Sequence, residues 1–141
     1  MTVKIPKHLD EVVRTRAKHH CEYCQAAEVL TGQRFHVDHI IPRVLGGETS
    51  VENLCVACPA CNGSKQDRTH AVDPHSNDLV SLFHPRQDQW QHHFMWSHDV
   101  LRITGLTPVG RATVGILKTN RPLSISARAV WVSVNRHPPK E

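Results

Sequence analysis

Two C-x2-C pairs, Cys21/Cys24 and Cys58/Cys61, constrain the fold of this chain more than any other sequence feature. Each pair places two thiols close enough to bind one ion, and four thiolates satisfy a tetrahedral zinc ion at Zn–S distances of roughly 2.3 Å. Such a closed site supports folding and performs no catalysis. The spacing therefore predicts a structural Zn²⁺ that joins two distant parts of the chain, with free buried cysteines as the alternative.

A fifth cysteine leaves the ligand set open. Cys55, Cys58 and Cys61 form two overlapping C-x2-C pairs, and spacing alone does not choose between them. The odd count argues against a disulfide framework, and the first residues of the sequence lack the apolar run of a signal peptide. We therefore expect a cytoplasmic protein whose cysteines bind metal. No membrane span is expected, since no stretch approaches the roughly 20 apolar residues that a span needs.

The size and charge of the chain limit its architecture and its partners. A chain of 141 residues fits one compact domain, or a small metal-bound module with an appended subdomain. Lys and Arg number 17 against 13 Asp and Glu, which gives a net charge of +4. This balance suits a phosphate-bearing partner, although ordinary surface charge is an equally good explanation.

Hydrophobic periodicity and turn residues predict a mixture of helices and short strands. The first half is expected to contain a helix from Pro6 to about Lys18, a strand over 35–42, a turn at Gly46-Gly47, a return segment over 51–56 and a helix over 59–66. The second half is expected to contain strands over 79–83 and 100–103, helices over 107–118 and 123–134, and packing aromatics between the strands at Trp90, Phe94 and Trp96. The last helix is predicted from apolar residues at helical spacing, which match a helix better than a strand: Leu123, Ala127, Val130, Trp131 and Val134.

The segment from Phe35 to Pro42 carries residues suited to hydrolytic chemistry. In a strand, His36 and Asp38 share one face, and His39 points from the other face or from a twisted end. A carboxylate binds a hard cation, and an imidazole that titrates near neutrality can take a proton from water. Asn62 is expected near the N-terminus of the helix over 59–66.

Taken together, these motifs resemble the HNH endonuclease family. The sequence contains C-x2-C, His-Val-Asp-His-Ile-Ile-Pro-Arg, Gly-Gly, Glu-Asn-Leu and Cys-Pro-Ala-Cys-Asn-Gly-Ser-Lys in the family's order, from Cys21 to about Arg68. Less diagnostic motifs continue to residue 122 and look like those of stand-alone bacterial HNH proteins. The fold that this resemblance implies is α+β: a zinc-stapled ββα-metal (His-Me finger) module over 1–74, with a C-terminal α+β extension over 75–141 packed on the same compact domain.

The resemblance also implies a role for each site residue. Asp38 and Asn62 would ligate the catalytic metal, His39 would be the general base, and Asn53 would orient His39 through the loop backbone. The structural zinc ligands would be Cys21, Cys24, Cys58 and Cys61. Asn62 stands where other family members carry a histidine, so the metal shell is oxygen-rich and suits Mg²⁺ or Mn²⁺, with Ni²⁺ or Zn²⁺ as softer alternatives. For His36, a metal ligand, a phosphate contact and a plain strand residue stay open.

The activity that the resemblance implies is metal-dependent endonucleolytic cleavage, with DNA as the expected substrate and RNA as an alternative. Contacts to the nucleic acid backbone are expected from Lys65, Arg68, Arg43 and Lys18. Arg86 and His93 have no spacing argument that places them at the site. The competing function is a non-catalytic zinc module that binds nucleic acid or a protein partner, which would not need the set of Asp38, His39, Asn53 and Asn62. Both monomer and homodimer stay open.

Overall fold

The structure is a computed structural model, and it describes residues 4–140. Along the chain the elements are α1 (Lys7–Arg16), α2 (Glu28–Thr31), β1 (His36–His39), a 3-10 turn (Arg43–Leu45), β2 (Leu54–Ala57), α3 (Pro59–Lys65), β3 (His70–Val72), β4 (Leu79–Ser81), α4 (Trp90–His93), β5 (Phe94–Trp96), β6 (Ile103–Gly105), α5 (Pro108–Leu117) and α6 (Pro122–Ser133). The predicted α+β class is confirmed. Residues 1–3 and 141, at the outer ends of the two predicted units, lie outside the described residues.

Helix α1 begins directly after Pro6, as predicted, and is fastened to the following strands by two arginines. Arg14 donates to the carbonyl of Phe35 at 2.9 Å and pairs with Asp10 one turn earlier at 2.7 Å. Arg16 donates to the carbonyl of Leu54 at 2.8 Å. These side chains satisfy carbonyls at both ends of the strand pair, so the helix fixes the position of the strands that carry the candidate site residues.

Strands β1 and β2 form an antiparallel pair in which His36 lies opposite Ala57 and His39 lies opposite Leu54. Strand β1 is shorter than predicted because both backbone polar groups of Ile41 bond to the side chain of Asn53 instead of to a neighbouring strand. The intervening loop passes so close to Ile41 that a Cβ on Gly47 would lie 1.7 Å from the Ile41 carbonyl oxygen. Only glycine is compatible with that approach.

Helix α3 follows β2 directly and confirms the helix predicted after Pro59. Cys58 is the N-cap, and its Sγ accepts a hydrogen bond from the backbone N–H of Cys61 at 3.4 Å. Pro59 occupies the first turn, where its missing N–H costs nothing. The order strand, strand, helix therefore brings the second cysteine pair and Asn62 to one end of the strand pair.

One apolar core takes residues from both halves of the chain. Its most deeply buried members include Val13, Tyr23, Phe35, Leu54, Val56, Phe83, Phe94, Ile103 and Leu117. The indole N–H of Trp90 donates to the carbonyl of Tyr23 at 2.8 Å, and the Phe83 and Tyr23 rings pack edge to face. The second half thus packs directly on the segment between the first two cysteines. The division of the chain at residue 74 stays a prediction.

Of the two strands predicted in the second half, β4 lies within the predicted range of 79–83, and the other lies further along the chain than predicted. Residues 97–102 form a turn closed by the Ser97 N–H and the Arg102 carbonyl at 2.8 Å, with Val100 at a φ of 59°. The strand predicted over 100–103 therefore lies at Ile103–Gly105, where it pairs with Phe94–Trp96. The pattern contained no sign of β3, which pairs with β4. Helix α5 begins as predicted, with the Thr107 hydroxyl accepting from the Gly110 N–H.

Helix α6 exists where predicted, but several of the apolar residues that predicted it are exposed. Leu123 is 80% exposed and Val130 is 62% exposed, whereas Arg128 is 3% exposed. The Arg128 guanidinium donates to the carbonyls of Leu101 and Thr119 and lies 5.3 Å from the Trp96 ring centroid. A long side chain that satisfies buried carbonyls holds this helix, and of the apolar set only Ala127 and Trp131 are half-buried. None of the helices within residues 4–140 has the length and apolarity needed to cross a membrane.

Candidate functional site

Four cysteine side chains form a compact buried cluster: Cys21, Cys24, Cys58 and Cys61. Their sulfur atoms all lie within 4.8 Å of one another, and the Sγ atoms of Cys24 and Cys58 are 3.8 Å apart. The first pair lies in a tight turn in which the Cys21 N–H donates to the Ala26 carbonyl at 2.8 Å. The second pair lies at the start of α3. The fold thus brings together two cysteine pairs that are far apart in sequence.

The chemistry of these four donors fits a structural metal such as zinc. Three neighbouring thiols donate to the Cys58 sulfur and lower its pKa, whereas burial raises the pKa of Cys21 well above its usual value. Four thiolates at this separation repel one another, so full ionisation requires a cation among them. Four sulfur ligands leave a tetrahedral ion without an open position, which suits support of the fold.

Cys55 lies outside this cluster, which resolves the overlap of the two possible C-x2-C pairs. Its thiol is fully buried and donates to the Tyr23 hydroxyl at 3.7 Å. Burial raises the pKa of Cys55 to about 12, so the thiol stays protonated at neutral pH. A protonated, buried thiol behaves as a small apolar side chain.

A separate polar cleft of about 550 Å³ opens beside β1 and α3. The polar side chains that line it are His36, Asp38, His39, Arg43, Asn62 and Asp67. His36 is exposed, and Asp38, His39 and Asn62 are half-buried. The structure thus brings together Asp38, His39 and Asn62, three of the four residues that the resemblance assigns to the reaction.

Asp38 contributes a partly buried carboxylate whose neutralising partner is Lys65. The Asp38 Oδ2 atom is buried and accepts no hydrogen bond within the described residues, and the Lys65 ammonium lies 3.6 Å from it. Burial raises the pKa of Asp38, and the charge of Lys65 acts in the opposite direction. The Asp38 carboxylate and the Asn62 amide line one cleft, and oxygen donors of these two types fit a hard divalent cation.

Lys65 differs from the sequence expectation in its position. Its side chain is 2% exposed, and the ammonium also donates to the His39 carbonyl at 3.4 Å. A surface contact to a nucleic acid backbone requires a solvent-accessible ammonium, so its burial argues against that role for Lys65. The sequence showed its proximity to Asn62 on the helix, but it contained no signal for the partner Asp38.

His39 is held at the cleft by a hydroxyl. Its Nε2 atom lies 2.8 Å from Thr49 Oγ1, and that oxygen also accepts a hydrogen bond from Arg43 at 3.3 Å. Burial lowers the pKa of His39, with Asp38 acting in the opposite direction and Arg43 adding to the lowering. The imidazole is therefore mainly neutral at neutral pH and can accept a proton.

Asn53 does not contact His39 directly but closes the loop that carries Thr49. Its Oδ1 accepts from the Ile41 N–H at 2.9 Å, and its Nδ2 donates to the carbonyls of Ile41 and Glu48 at 2.9 and 2.8 Å. Ile41 follows His39 by two residues, and Glu48 precedes Thr49. Asn53 thus ties both ends of the loop around the imidazole, in keeping with an indirect orienting role.

The remaining basic residues lie in different places. Arg43 lines the cleft, whereas Arg68 donates to the Ser64 carbonyl at 3.0 Å at the end of α3, and Lys18 is exposed beside the first cysteine pair. Arg86 pairs with Glu22. His93 bonds through Nδ1 to the Thr107 hydroxyl at 2.6 Å. Neither Arg86 nor His93 lines the polar cleft.

Two residues of this region were not predicted from the sequence. Thr49 has no motif of its own and reaches His39 only because the loop folds back at Gly47. Asp67 is an exposed side chain that lines the cleft from the turn after α3. An acidic residue five positions after Asn62 gave no recognisable spacing signal.

Comparison with known proteins gives one result. Residues 21–68 match the sequence model of the HNH endonuclease family, whereas no curated protein and no solved structure matches the chain. The matched segment includes both cysteine pairs, both strands of the first hairpin and helix α3. The resemblance inferred from the motifs is confirmed over this segment, which is therefore identified as an HNH domain, a type that indicates nuclease or nucleic-acid-binding activity.

Proposed function

We propose that this protein is a metal-dependent endonuclease that hydrolyses phosphodiester bonds, with DNA as its substrate. The observation that carries the proposal is the convergence of Asp38, His39 and Asn62 on one open cleft inside the segment that matches the HNH family. A protein that only binds nucleic acid has no need for a neutral imidazole beside a carboxylate and an amide in one cleft.

In this proposal the residues divide between two metal sites. Asp38 and Asn62 would hold the catalytic cation, Mg²⁺ or Mn²⁺, and His36 lines the same cleft as a possible third ligand. The chemistry that such a cation supplies is electrostatic stabilisation of the charge that develops on phosphate oxygens in the transition state. The four clustered cysteines would hold zinc as a structural ion.

His39 acts as the general base in this proposal. If its Nε2–H donates to Thr49, the lone pair of Nδ1 is left to accept a proton from water. The water oxygen bonds to phosphorus as the bond from phosphorus to the 3′ oxygen breaks. The 3′ oxygen takes a proton from solvent, which leaves a 5′ phosphate and a 3′ hydroxyl. Asn53 maintains the loop, and Arg43 is positioned to contact a phosphate at the edge of the cleft.

Plasmid cleavage by the purified protein tests this function. Supercoiled DNA is incubated without divalent ion or with Mg²⁺, Mn²⁺ or Ni²⁺, and nicked and linear products are quantified. His39→Ala should slow cleavage by about 10² to 10⁴-fold, which is the usual contribution of general acid–base catalysis. His98→Ala, which removes an exposed histidine from the turn between β5 and β6, is the matched control and should cleave at the parent rate.

Two results would contradict the proposal. If His39→Ala cleaves as fast as the parent, His39 is not the base. If the zinc-loaded parent cleaves neither DNA nor RNA with any of these ions, the protein is a non-catalytic binding module. The products of a 5′-labelled duplex separate nicking from double-strand cleavage, and cleavage of a matched RNA identifies an RNA substrate instead.

A further inference from the structure

A second groove, distinct from the polar cleft, carries a concentration of positive charge. It measures about 640 Å³ and is lined by five basic side chains, which we call the basic groove: Lys18, His19, His20, Arg34 and Arg136. The matched family segment does not contain Lys18 or Arg136, and Arg34 and Arg136 have no role in the proposed reaction. The chain brings these residues together from the end of α1, the segment before β1 and the segment after α6.

The three permanently charged groups of the groove are available for a ligand. Lys18, Arg34 and Arg136 are exposed, and their side chains make no hydrogen bond or ion pair to any residue within 4–140. The acidic residue of the groove, Glu28, is already engaged, because its Oε2 accepts from the Phe35 N–H at 2.7 Å and lies 3.6 Å from Arg14. The groove therefore keeps an excess of positive charge facing solvent.

The backbone holds part of this groove in a fixed shape. Lys18 and His19 both have left-handed backbone angles, with φ of 53° and 55°, a conformation that non-glycine residues rarely adopt. The His19 N–H donates to the Arg14 carbonyl at 3.1 Å, and the His19 carbonyl accepts from the Glu28 N–H at 2.9 Å. The turn that leads into the first cysteine pair thus presents these side chains to the groove.

The segment that leads into β1 contributes to both the basic groove and the polar cleft, through Arg34 and His36. Arg34 and His36 are exposed on either side of the buried Phe35, and His36 and Asp38 line the cleft. At about 3.3 Å per extended residue, His36 lies roughly 7 Å from Asp38 along the chain and Arg34 roughly 13 Å. Arg34 thus places one permanent positive charge of the groove four residues before Asp38 in the chain.

We propose that the basic groove binds the sugar-phosphate backbone of the nucleic acid at phosphates to one side of the cleavage position. This inference rests on the proposed function for the position of the cleavage site, but the binding itself does not require cleavage. Several unpaired cations in an open groove bind a polyanion without reading sequence, and each phosphate that they neutralise adds to the salt dependence of binding. An acidic protein surface is the competing ligand.

The test measures binding in the zinc-loaded His39→Ala background, so that the DNA stays intact. Affinity for a fluorescein-labelled duplex of about 20 base pairs is measured by anisotropy over a series of salt concentrations. The double variant Arg34→Gln/Arg136→Gln should make the plot of log affinity against log salt less steep, by up to about two in the magnitude of its slope. Each phosphate that the protein no longer neutralises reduces that magnitude by roughly 0.9. Arg102→Gln/Lys118→Gln removes the same charge from exposed positions outside both grooves, so its slope should be close to that of the parent.

The outcomes separate this inference from the proposed function. An unchanged slope in the Arg34/Arg136 variant, or an equal change in the control variant, would overturn the groove proposal even if plasmid cleavage is observed. A reduced slope supports the groove even if the parent never cleaves. Loss of binding to polyglutamate without any change in DNA binding would assign the groove to an acidic protein instead.

Discussion

The four-cysteine cluster and the polar cleft are built from neighbouring residues but have opposite properties. Cys61 and Asn62 are consecutive in α3, yet Cys61 is 1% exposed within the sulfur cluster and Asn62 is half-buried at the edge of the cleft. The cluster consists of four buried soft sulfur donors within 4.8 Å of one another. The cleft offers oxygen and nitrogen donors around an open space.

One short helix can therefore contribute successive residues to two different sites, the cysteine cluster and the polar cleft. The closed sulfur site fixes the start of α3 against the turn after α1, and the rigid helix then fixes where Asn62 and Lys65 lie relative to β1. A catalytic site gains rate when its groups are already in place before the substrate arrives. The contrast predicts that damage to the cluster disrupts the whole region, whereas damage to the cleft is more local.

The largest expected effect follows from Cys61→Ser. Loss of one thiolate weakens a four-cysteine site, and in small zinc-binding peptides the binding free energy of the intact site, on the order of 10–16 kcal/mol, drives folding. We expect the zinc content to fall from one per chain to near zero and the cooperative thermal transition to disappear. Elemental analysis and circular dichroism measure both, and a folded variant that retains one zinc would refute the role of Cys61.

The next largest effect is expected from Lys65→Met. Removing one partner of a buried ion pair leaves the other charge uncompensated, at a cost of about 3–5 kcal/mol when both groups are buried. Asp38 keeps a side-chain exposure of 25%, which places the expected loss near the lower end of that range, about 3 kcal/mol. Urea unfolding at constant zinc measures this loss.

A double variant makes the Lys65 prediction specific. Asp38→Asn in the Lys65→Met background removes the uncompensated carboxylate, so it should recover much of the lost stability although it adds a second substitution. If the double variant is as unstable as the sum of the two single variants, the two side chains do not interact and the cost belongs to packing alone.

A smaller effect on stability, about 2 kcal/mol, is expected from Asn53→Ala. The substitution removes three hydrogen bonds and leaves the polar groups of Ile41 without their partner. Each hydrogen bond contributes a net stability of about 0.5–1.5 kcal/mol. Cleavage should fall as well, because the loop that holds Thr49 against His39 is released. Gly47→Ala places a Cβ against the Ile41 carbonyl to which Asn53 donates, so it should reproduce both the loss of stability and the loss of cleavage. Unchanged zinc content is the internal control, and full activity in both variants would contradict the role of this loop.

The smallest effect is expected from Cys55→Ala, about 1 kcal/mol for the cavity left by one sulfur atom in a buried position. Zinc content and cleavage rate should stay at parent values, because the Cys55 sulfur contacts Tyr23 and lies outside the cluster. Its raised pKa also predicts that native Cys55 resists alkylation by iodoacetamide at pH 8. Loss of zinc in this variant would return Cys55 to the ligand set.

Sequence patterns predicted the right elements wherever a local signal determines the backbone. Pro59 and the two cysteines around it define the start of α3, and Thr107-Pro108 define the start of α5. The order of motifs from Cys21 to Arg68 was likewise readable, because spacing in this segment follows from the geometry of metal ligands.

Other features could not be predicted because they depend on interactions between residues far apart in the chain. Arg128 of α6 is buried because it bonds to the carbonyls of Leu101 and Thr119. The spacing of apolar residues in the helix cannot indicate where those carbonyls lie. Lys65 appeared to be a surface cation because its partner, Asp38, lies on another element. Thr49 has no signal at all until the loop closes around Gly47.

The hydrogen bond from Trp90 to Tyr23 has a practical consequence. Tyr23 lies between Cys21 and Cys24, so an indole from the second half of the chain contacts the backbone of the first cysteine pair directly. Any change that loosens this turn alters the polarity around the indole. Intrinsic tryptophan fluorescence should therefore act as a built-in, label-free optical signal of whether the cysteine turn is in place, and it can be followed in real time during metal loading or removal.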